Sequence, residues 1–167
     1  MIGPPAARLR WVAGDALHLT LRFLGEITEQ AVGRVAAAAG NAAASTPPFS
    51  ITLAGLGGFP SLREPRVLWI GVADGGAPLD ALARTLEGEL VAGGFPPEAR
   101  PFHPHLTLAR ARSVGAPPDL RRCTAGLAWP SGAAIGVQHV DAIVVVESTL
   151  GTAGPTYREV SRAALGG

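Results

Sequence analysis

Apolar residues recur along the chain in short runs interrupted by glycine and proline, and these runs predict β-strands. The predicted strands cover residues 17–24, 50–57, 67–73, 105–110 and 140–147. Two other segments, about 28–44 and 79–92, carry apolar residues at three- and four-residue steps and predict helices. Residues 112–122 are polar and proline-containing, which favours an exposed connection. This alternation predicts an α+β fold rather than a parallel-sheet arrangement.

The two predicted helices differ in how clearly their apolar faces are marked. The first is alanine-rich, with Thr28 as a plausible N-cap and a weak stripe through Val32, Val35 and Ala39. The stripe of the second is clearer and consists of Leu79, Leu82, Ala83, Leu86 and Leu90. The glycine pair 93–94 follows this helix and predicts a left-handed C-terminal stop.

The tetrapeptide His-Leu-Thr-Leu occurs twice, once beginning at His18 and once at His105. Because side chains alternate between the two faces of a strand, His18 and Thr20 share one face with Arg22. The leucines of that run, Leu17, Leu19 and Leu21, are predicted to point into the core. The second copy brings His105 and Thr107 together on one face in the same way.

The repetition predicts two similar halves within a single domain of residues 1–167, arranged as two lobes facing a central cleft. The sheets are expected to be antiparallel, with the helices outside. The other histidines, His103 and His139, are not followed by a threonine two residues later and are interpreted as ordinary surface residues.

Two imidazoles and two hydroxyls at one site suit the opening of a strained cyclic phosphate. Histidine can be neutral or protonated near neutral pH, so one copy can accept a proton from water while the other protonates the departing ribose oxygen. Threonine hydroxyls can donate to the non-bridging phosphate oxygens, where negative charge accumulates. This chemistry needs no metal and no cofactor, and a ribose 2′-oxygen restricts it to RNA.

Composition and charge indicate which partners and which cellular compartment suit this chemistry. The formal net charge is +1, so no global basic field favours tight binding to long nucleic acid. All fourteen basic side chains are arginine, and the single cysteine, Cys123, excludes an internal disulfide. No apolar run approaches the ~20 residues that span a bilayer, and no secretory signal is evident. A soluble, cytoplasmic protein is expected.

The sequence resembles the two-histidine (2H) phosphoesterases, and among them the bacterial and archaeal RNA 2′,3′-cyclic phosphodiesterases, also described as 2′-5′ RNA ligase-like. Four segments are similar to family segments in the family's order: RWVAGDALHLTLRFLGEI, GLGGFPSLREPRVLWIGV, GFPPEARPFHPHLTLARA and VESTLGTAGPTYREV. The resemblance implies the two-lobed 2H fold and hydrolysis of RNA 2′,3′-cyclic phosphate ends to 2′-phosphates. It also implies a minor reverse activity, the ligation of 2′-5′ termini.

Residue roles follow from the same resemblance. It implies that His18 is the proton donor and His105 the proton acceptor. The residues implied to bind the phosphate are Thr20, Thr107 and Arg110. Phe23 is implied to stack on the nucleobase. Arg110 and Phe23 each lie five residues after their histidine, on the opposite strand parity, so they reach the same space only if the strand twists, bulges or ends first.

One departure from the family pattern concerns the N-terminal side. Family members place a short strand and a long helix before the RWV segment, whereas seventeen residues precede His18 in this chain. That strand and helix are expected to be missing, which would leave an exposed sheet edge. The protein is expected to be a monomer whose partners are RNA ends bearing a cyclic phosphate.

Two rival functions use the same residues. The first is a catalytically idle RNA- or nucleotide-binding module, which the two intact His-x-Thr motifs disfavour because binding alone does not need proton-transfer groups. The second is a metal site, which is disfavoured because no second ligand follows His18 at ligand spacing and the nearest carboxylate to His105 is Glu98.

Overall fold

A computed structural model describes residues 9–62, 65–111, 133–151 and 154–166 of the chain. The strands and α-helices of the described residues, in chain order, are β1 (Leu9–Trp11), α1 (Glu29–Ala44), β2 (Phe49–Phe59), β3 (Val67–Asp74), α2 (Gly76–Ala92), β4 (His105–Ala111), β5 (Ala134–Val140), β6 (Ala142–Gly151) and β7 (Gly154–Ala164). The predicted α+β class is confirmed. In these described ranges, no helix is both long enough and apolar enough to cross a membrane.

The strands form two sheets. Five of them lie in the order β1-β4-β3-β2-β5, and β6 and β7 form a separate antiparallel pair. The chain divides into two compact units, each assembled from three segments. The first unit contains Met1–Thr20, Thr52–Asp74 and Pro104–Val137, and the second contains Leu21–Ile51, Gly75–His103 and Gln138–Gly167. The prediction of one two-lobed domain stays a prediction.

The first unit buries one face of the five-stranded sheet. Leu68 of β3 packs with Leu9 and Ala109, which lie on β1 and β4, and all three side chains are at most 5% exposed. Leu68 and Ile70 alternate with Val67, Trp69 and Gly71, which therefore lie on the opposite face of the sheet. This second face carries the functional residues described below.

The core of the second unit is formed mainly by the two helices and the β6–β7 pair. All five apolar residues predicted to form the stripe of α2 are buried, which confirms that prediction. In α1, Val35 and Ala39 are buried as predicted, whereas Val32 is only half-buried. The sequence pattern missed four further buried alanines, Ala31, Ala38, Ala42 and Ala43. Alanines occur all around this helix, so their positions do not mark the packed face.

The predicted stop after α2 is confirmed and has a specific geometry. Gly94 has a φ of 85°, in the left-handed region, and its N–H donates to the Val91 carbonyl at 3.0 Å. The Phe95 N–H donates to the Leu90 carbonyl at 3.0 Å, which completes a Schellman motif. Phe95 and Leu90 are both buried in the same core, so the helix end is anchored by packing as well.

Four of the five predicted strands correspond to β2, β3, β4 and β6, whereas the first, over residues 17–24, is wrong. In that segment the structure has a single β-bridge, from Leu19 to Leu106. The physical reason is that β1 already pairs with the second half of β4, opposite Ala109–Ala111. Only the beginning of β4 remains for the His18 segment, so no regular strand develops there.

Strands β1, β5 and β7 were not predicted, and the predicted connection 112–122 lies outside the described residues. Leu17, predicted to be in the core, is 38% exposed. Leu19, two residues later, is half-buried and forms the β-bridge to Leu106. Leu21 packs against the core of the second unit.

Candidate active site

The two His-Leu-Thr-Leu motifs meet in the first unit, beside each other at one sheet edge. The antiparallel bridge pairs Leu19 with Leu106, the residue that lies between His and Thr in each motif. The histidine and the threonine of both motifs belong to the first unit, whereas Leu21 is assigned to the second. One bridge therefore brings together two copies of the motif that begin 87 residues apart, at His18 and His105.

The register of this bridge fixes how the four polar side chains are arranged. Extending the antiparallel register of this isolated bridge by one residue on each side would set Thr20 opposite His105 and His18 opposite Thr107. All four lie on the face opposite the two leucines, because neighbouring side chains alternate. The two histidines are then diagonal neighbours, whose Cβ atoms are expected about 7–8 Å apart. Such a gap accommodates one phosphate between two imidazoles.

His18 is exposed, and one of its ring nitrogens is fixed by the backbone. Nδ1 lies 2.8 Å from the carbonyl oxygen of Ala16, the last residue of a short 3-10 helix (Gly14–Ala16). Since a carbonyl oxygen only accepts, Nδ1 must carry the hydrogen of this bond. A proton transfer that involves His18 therefore uses Nε2.

His105 is half-buried and stands beside two aromatic rings. The Phe59 ring, from the end of β2, makes an edge contact with the imidazole at a centroid distance of 5.1 Å. The Trp69 indole, from β3, lies 6.1 Å away and also packs on Phe59 at 5.2 Å. These rings restrict the rotation of the imidazole. Neither aromatic was assigned a role from the sequence, although alternation along β3 places Trp69 on the same face as Val67 and Gly71.

Two glycines make room for the Trp69 indole. Gly57 lies directly opposite Trp69 across the β2–β3 ladder, and a Cβ there would collide with the six-membered ring of the indole. At Gly71, a Cβ would lie 3.3 Å from the same ring. The indole therefore lies over the backbone of β2, and its position depends on the missing side chain at Gly57.

We expect Gly57→Ala to displace this indole and loosen the wall beside His105. Overpacking of this kind typically costs about 1–3 kcal/mol, so urea unfolding should show a reduced free energy of unfolding, together with a lower kcat/KM. The matched control is Gly33→Ala in α1, where a Cβ meets nothing within 4 Å. That variant should gain about 0.5–1 kcal/mol. A Gly57→Ala protein as stable and active as wild type would show that the indole position does not matter.

Both threonine hydroxyls are available to a ligand. Thr20 and Thr107 are half-buried, and neither side-chain hydroxyl makes a hydrogen bond within the described part of the chain. Each lies directly opposite a histidine of the other motif, so a phosphate held by the hydroxyls would also lie next to the imidazoles.

A β-bulge decides where Arg110 lies. Along the β3–β4 ladder, Trp69 pairs with Thr107 but Leu68 pairs with Ala109, so Leu108 is an extra residue on β4. The extra residue reverses the parity of the positions after it, and Arg110 pairs with Val67. Since Val67 and Trp69 share a face, Arg110 shares the face of Thr107 despite its opposite parity in sequence.

The chain is similar in sequence to the proteins of one superfamily. Residues 5–133 match the 2′-5′ RNA ligase superfamily. The chain belongs to this superfamily. It is similar to the Aeropyrum pernix protein named RNA 2′,3′-cyclic phosphodiesterase, with 37% identity over 163 residues that cover 95% of this chain and 89% of the relative. The Aquifex aeolicus protein of the same name is 35% identical over 159 residues, covering 95% and 82%.

Solved structures agree with this membership of the superfamily. A crystal structure of a Thermus thermophilus protein aligns with a TM-score of 0.74 and 29% identity, covering 97% of this chain and 85% of that one. Escherichia coli LigT complexed with 3′-AMP aligns with a TM-score of 0.70 and 32% identity, covering 98% and 84%. The 2H phosphoesterase fold expected from the sequence is therefore confirmed.

Phe23, to which the superfamily resemblance assigns nucleobase stacking, lies in the second unit and is 61% exposed. The simple alternation predicted for this run ends before it, because Leu21 and Leu24, three residues apart, both pack against the core. An aromatic ring this exposed has a face open to a ligand.

Arg22, predicted to share the face of His18 and Thr20, has a different role. In the second unit its guanidinium donates to Glu98 at 2.6 Å and to the Pro96 carbonyl at 2.7 Å. Its Nε lies 3.0 Å from a Glu87 carboxylate oxygen, and the side chain is only 12% exposed. Arg22 therefore links α2 to the segment that follows it.

Replacing Arg22 with methionine should lower the free energy of unfolding by about 2 kcal/mol, because charge-assisted hydrogen bonds to Glu98 and the backbone are lost. Arg158→Met is the matched control, since the Arg158–Glu147 pair is exposed and contributes about 0–1 kcal/mol. Equal effects of the two substitutions in urea unfolding would contradict the structural role of Arg22.

Stability should also depend on the ionisation of Glu98. Hydrogen bonds from Arg100, with a smaller contribution from the charge of Arg22, hold the pKa of Glu98 below its usual value. A depressed carboxyl pKa stabilises the fold above the unfolded-state pKa, and this contribution is lost as pH falls through the folded-state pKa. Unfolding curves recorded on acidification should therefore show a smaller loss of stability in Glu98→Gln than in wild type.

The two histidines outside the motifs can serve as controls for His18 and His105. His103 and His139 are both exposed, and His139 lies 3.4 Å from the Ser50 hydroxyl in the second unit. Among the described residues, no three His, Cys, Asp or Glu side chains cluster as metal ligands.

Proposed function

We propose that the protein hydrolyses 2′,3′-cyclic phosphates at the ends of RNA and on nucleosides, giving 2′-phosphates. The observation that carries this proposal is the antiparallel Leu19–Leu106 bridge, which joins the two His-Leu-Thr-Leu motifs and supports a phosphate site formed by their histidines and threonines. Relatives at 37% and 35% identity are named RNA 2′,3′-cyclic phosphodiesterase, which supports the same substrate class. The bound 3′-AMP of the E. coli relative supports a nucleotide site.

In the proposed reaction, His105 accepts a proton from water while the water oxygen forms a bond to phosphorus. The bond between phosphorus and the ribose 3′-oxygen breaks, and the proton on His18 Nε2 passes to that oxygen. The Nδ1 bond from His18 to the Ala16 carbonyl supports the donor role, because it orients the ring and leaves Nε2 to carry the transferred proton. Phe59 and Trp69 restrain the ring of His105.

Thr20 and Thr107 donate their hydroxyl hydrogens to the non-bridging phosphate oxygens as charge builds up there. Arg110 supplies a positive charge on the same face, and Phe23 offers an exposed ring for stacking on the nucleobase. Reversal of the chemistry would join 2′-5′ termini as a minor activity. We further infer a cytoplasmic monomer, to be tested by fractionation and by sedimentation.

The experiment that tests the function measures the loss of a nucleoside 2′,3′-cyclic phosphate by chromatography, in excess EDTA. Turnover under these conditions is expected, and a 3′,5′-cyclic nucleotide should not be hydrolysed because its ring lacks the 2′-ester. Binding without turnover would favour the idle RNA-binding module instead. Turnover only after a divalent ion is added back would contradict the two-histidine chemistry.

A further inference from the structure

We propose that the rings of Phe59 and Trp69, which together form an aromatic wall beside His105, select water over larger nucleophiles and so favour hydrolysis over ligation. The inference rests on the proposed function and concerns the choice of the molecule that attacks the phosphorus. Both rings lie in the first unit, as does His105.

Hydrolysis and ligation differ only in the attacking molecule. In hydrolysis the water oxygen forms a bond to phosphorus, the bond from phosphorus to the 3′-oxygen breaks, one water proton passes to His105, and the His18 proton passes to the 3′-oxygen. An alcohol undergoes the same changes in bonding and gives a 2′-phosphodiester, and the 5′-hydroxyl of RNA is such an alcohol. Since each nucleophile offers one oxygen with a proton to transfer, the histidines do not distinguish them. Selection therefore depends on the space beside the base.

The space beside the imidazole of His105 is narrowed by the two rings of the wall. Phe59 meets the imidazole edge-on, with 5.1 Å between the ring centroids and 85° between the planes. The Trp69 indole lies 6.1 Å from the imidazole and 5.2 Å from the Phe59 ring. Aromatic rings in contact have centroid separations of this size, so the three rings form one packed group.

The indole fills space that glycines leave open on the neighbouring strands. Gly71 is the partner of His105 on β3, and a Cβ there would lie 3.3 Å from the indole. Gly57 is the partner of Trp69 on β2, and a Cβ there would overlap the indole. The position beside His105 that lacks a side chain of its own is thus occupied by the indole, against which Phe59 packs.

A wall of packed rings discriminates between nucleophiles by size. Aromatic rings are rigid, and the Phe59 side chain has no polar atom that could hold the hydroxyl of a nucleophile. A nucleophile must come within hydrogen-bond distance of the imidazole to lose its proton. Water occupies about 30 Å³ in the liquid, whereas the 5′-hydroxyl of a nucleoside brings its carbon and its ribose with it. The smallest nucleophile is therefore favoured beside the wall.

The test measures which nucleophile is incorporated when a nucleoside 2′,3′-cyclic phosphate is turned over in excess EDTA with methanol or glycerol present. Phosphorus NMR separates the 2′-monophosphate from the 2′-phosphodiester. In Phe59→Ala the initial ratio of glycerol diester to monophosphate should rise about 10-fold or more, as for a size change of at least one methylene group in an apolar pocket. The methanol ratio should rise less, because methanol is smaller. Phe59→Leu should give an intermediate glycerol ratio.

Phe49→Ala is the matched control, because Phe49 lies at the other end of β2, is also half-buried, and packs against the core of the second unit. Its free energy of unfolding should fall, while its product ratios should equal those of wild type. A product ratio compares two outcomes at the same site, so a loss of folded protein does not change it. Glycerol ratios unchanged in both Phe59 variants, at any rate of turnover, would overturn the inference. Failure of the wild-type protein to hydrolyse the cyclic phosphate would instead overturn the proposed function.

Discussion

Replacing either His18 or His105 with alanine is expected to lower kcat about 10²- to 10⁴-fold, the usual contribution of one general acid or base. In the proposed mechanism both imidazoles act on one phosphate, so both protons move in the same step. The double variant should then be little slower than the slower single variant, because groups that act as a unit are not additive. Single-turnover rates on a nucleoside 2′,3′-cyclic phosphate give these values directly.

His103→Ala and His139→Ala are the controls for this series. Both histidines are exposed and lie in the second unit, and their replacement should leave kcat near the wild-type value. The pH profile of the wild-type kcat/KM should be bell-shaped, with one limb from the acid and the other from the base. A fully active His18→Ala or His105→Ala enzyme would assign the proton transfers to other groups.

Thr20→Val and Thr107→Val should each lower kcat about 10- to 10³-fold, since each removes one hydrogen-bond donor to the charge that develops on the phosphate. The proton path through the histidines is spared, so the limbs of the pH profile should keep their positions. Thr20→Ser and Thr107→Ser retain the hydroxyl and should recover most of the activity.

Thr85→Val is a matched control for the loss of a hydroxyl, because Thr85 lies on α2 and donates to the Ala81 carbonyl within its own helix. Its kcat should equal that of wild type. If the two valine variants at the site were as active as Thr85→Val, the threonines would have no part in stabilising the transition state.

The two motifs of the candidate site can be identified from the sequence, whereas the way in which they meet cannot. Two copies of His-Leu-Thr-Leu were sufficient to single out the histidines, because alternation within each copy groups one imidazole with one hydroxyl. How the copies meet depends on long-range pairing, which local periodicity does not contain. The segment around His18 has the apolar pattern of a strand. Because β1 pairs with the other half of β4, however, this segment forms only one β-bridge with β4.

Arg110 and Trp69 show two other reasons for the limits of sequence-based prediction. Strict alternation placed Arg110 on the wrong face, and only the β3–β4 register reveals the extra residue at Leu108 that turns it. Trp69 lies in an apolar run, where a tryptophan is typical of a core, so the sequence gives no sign of its contact with the candidate site. Its contact with His105 depends on the space above Gly57, on a different strand.

Arg22 illustrates the converse case, in which parity within a run predicted a place on the face of His18 and Thr20. The segment changes units between Thr20 and Leu21, so the face that His18 and Thr20 share does not extend to Arg22. Its ion-pair partners, Glu87 and Glu98, are far away in sequence.

The central claim is that His18 delivers its proton to the ribose 3′-oxygen as water adds to the phosphorus with His105 as base. Phosphorus NMR of the product formed from a nucleoside 2′,3′-cyclic phosphate in excess EDTA tests this claim most directly, because the two possible monophosphates give separate signals. We expect the 2′-phosphate as the product, with its formation lost in His18→Ala and His105→Ala. A 3′-phosphate product, or no product until a divalent ion is added, would contradict the claim.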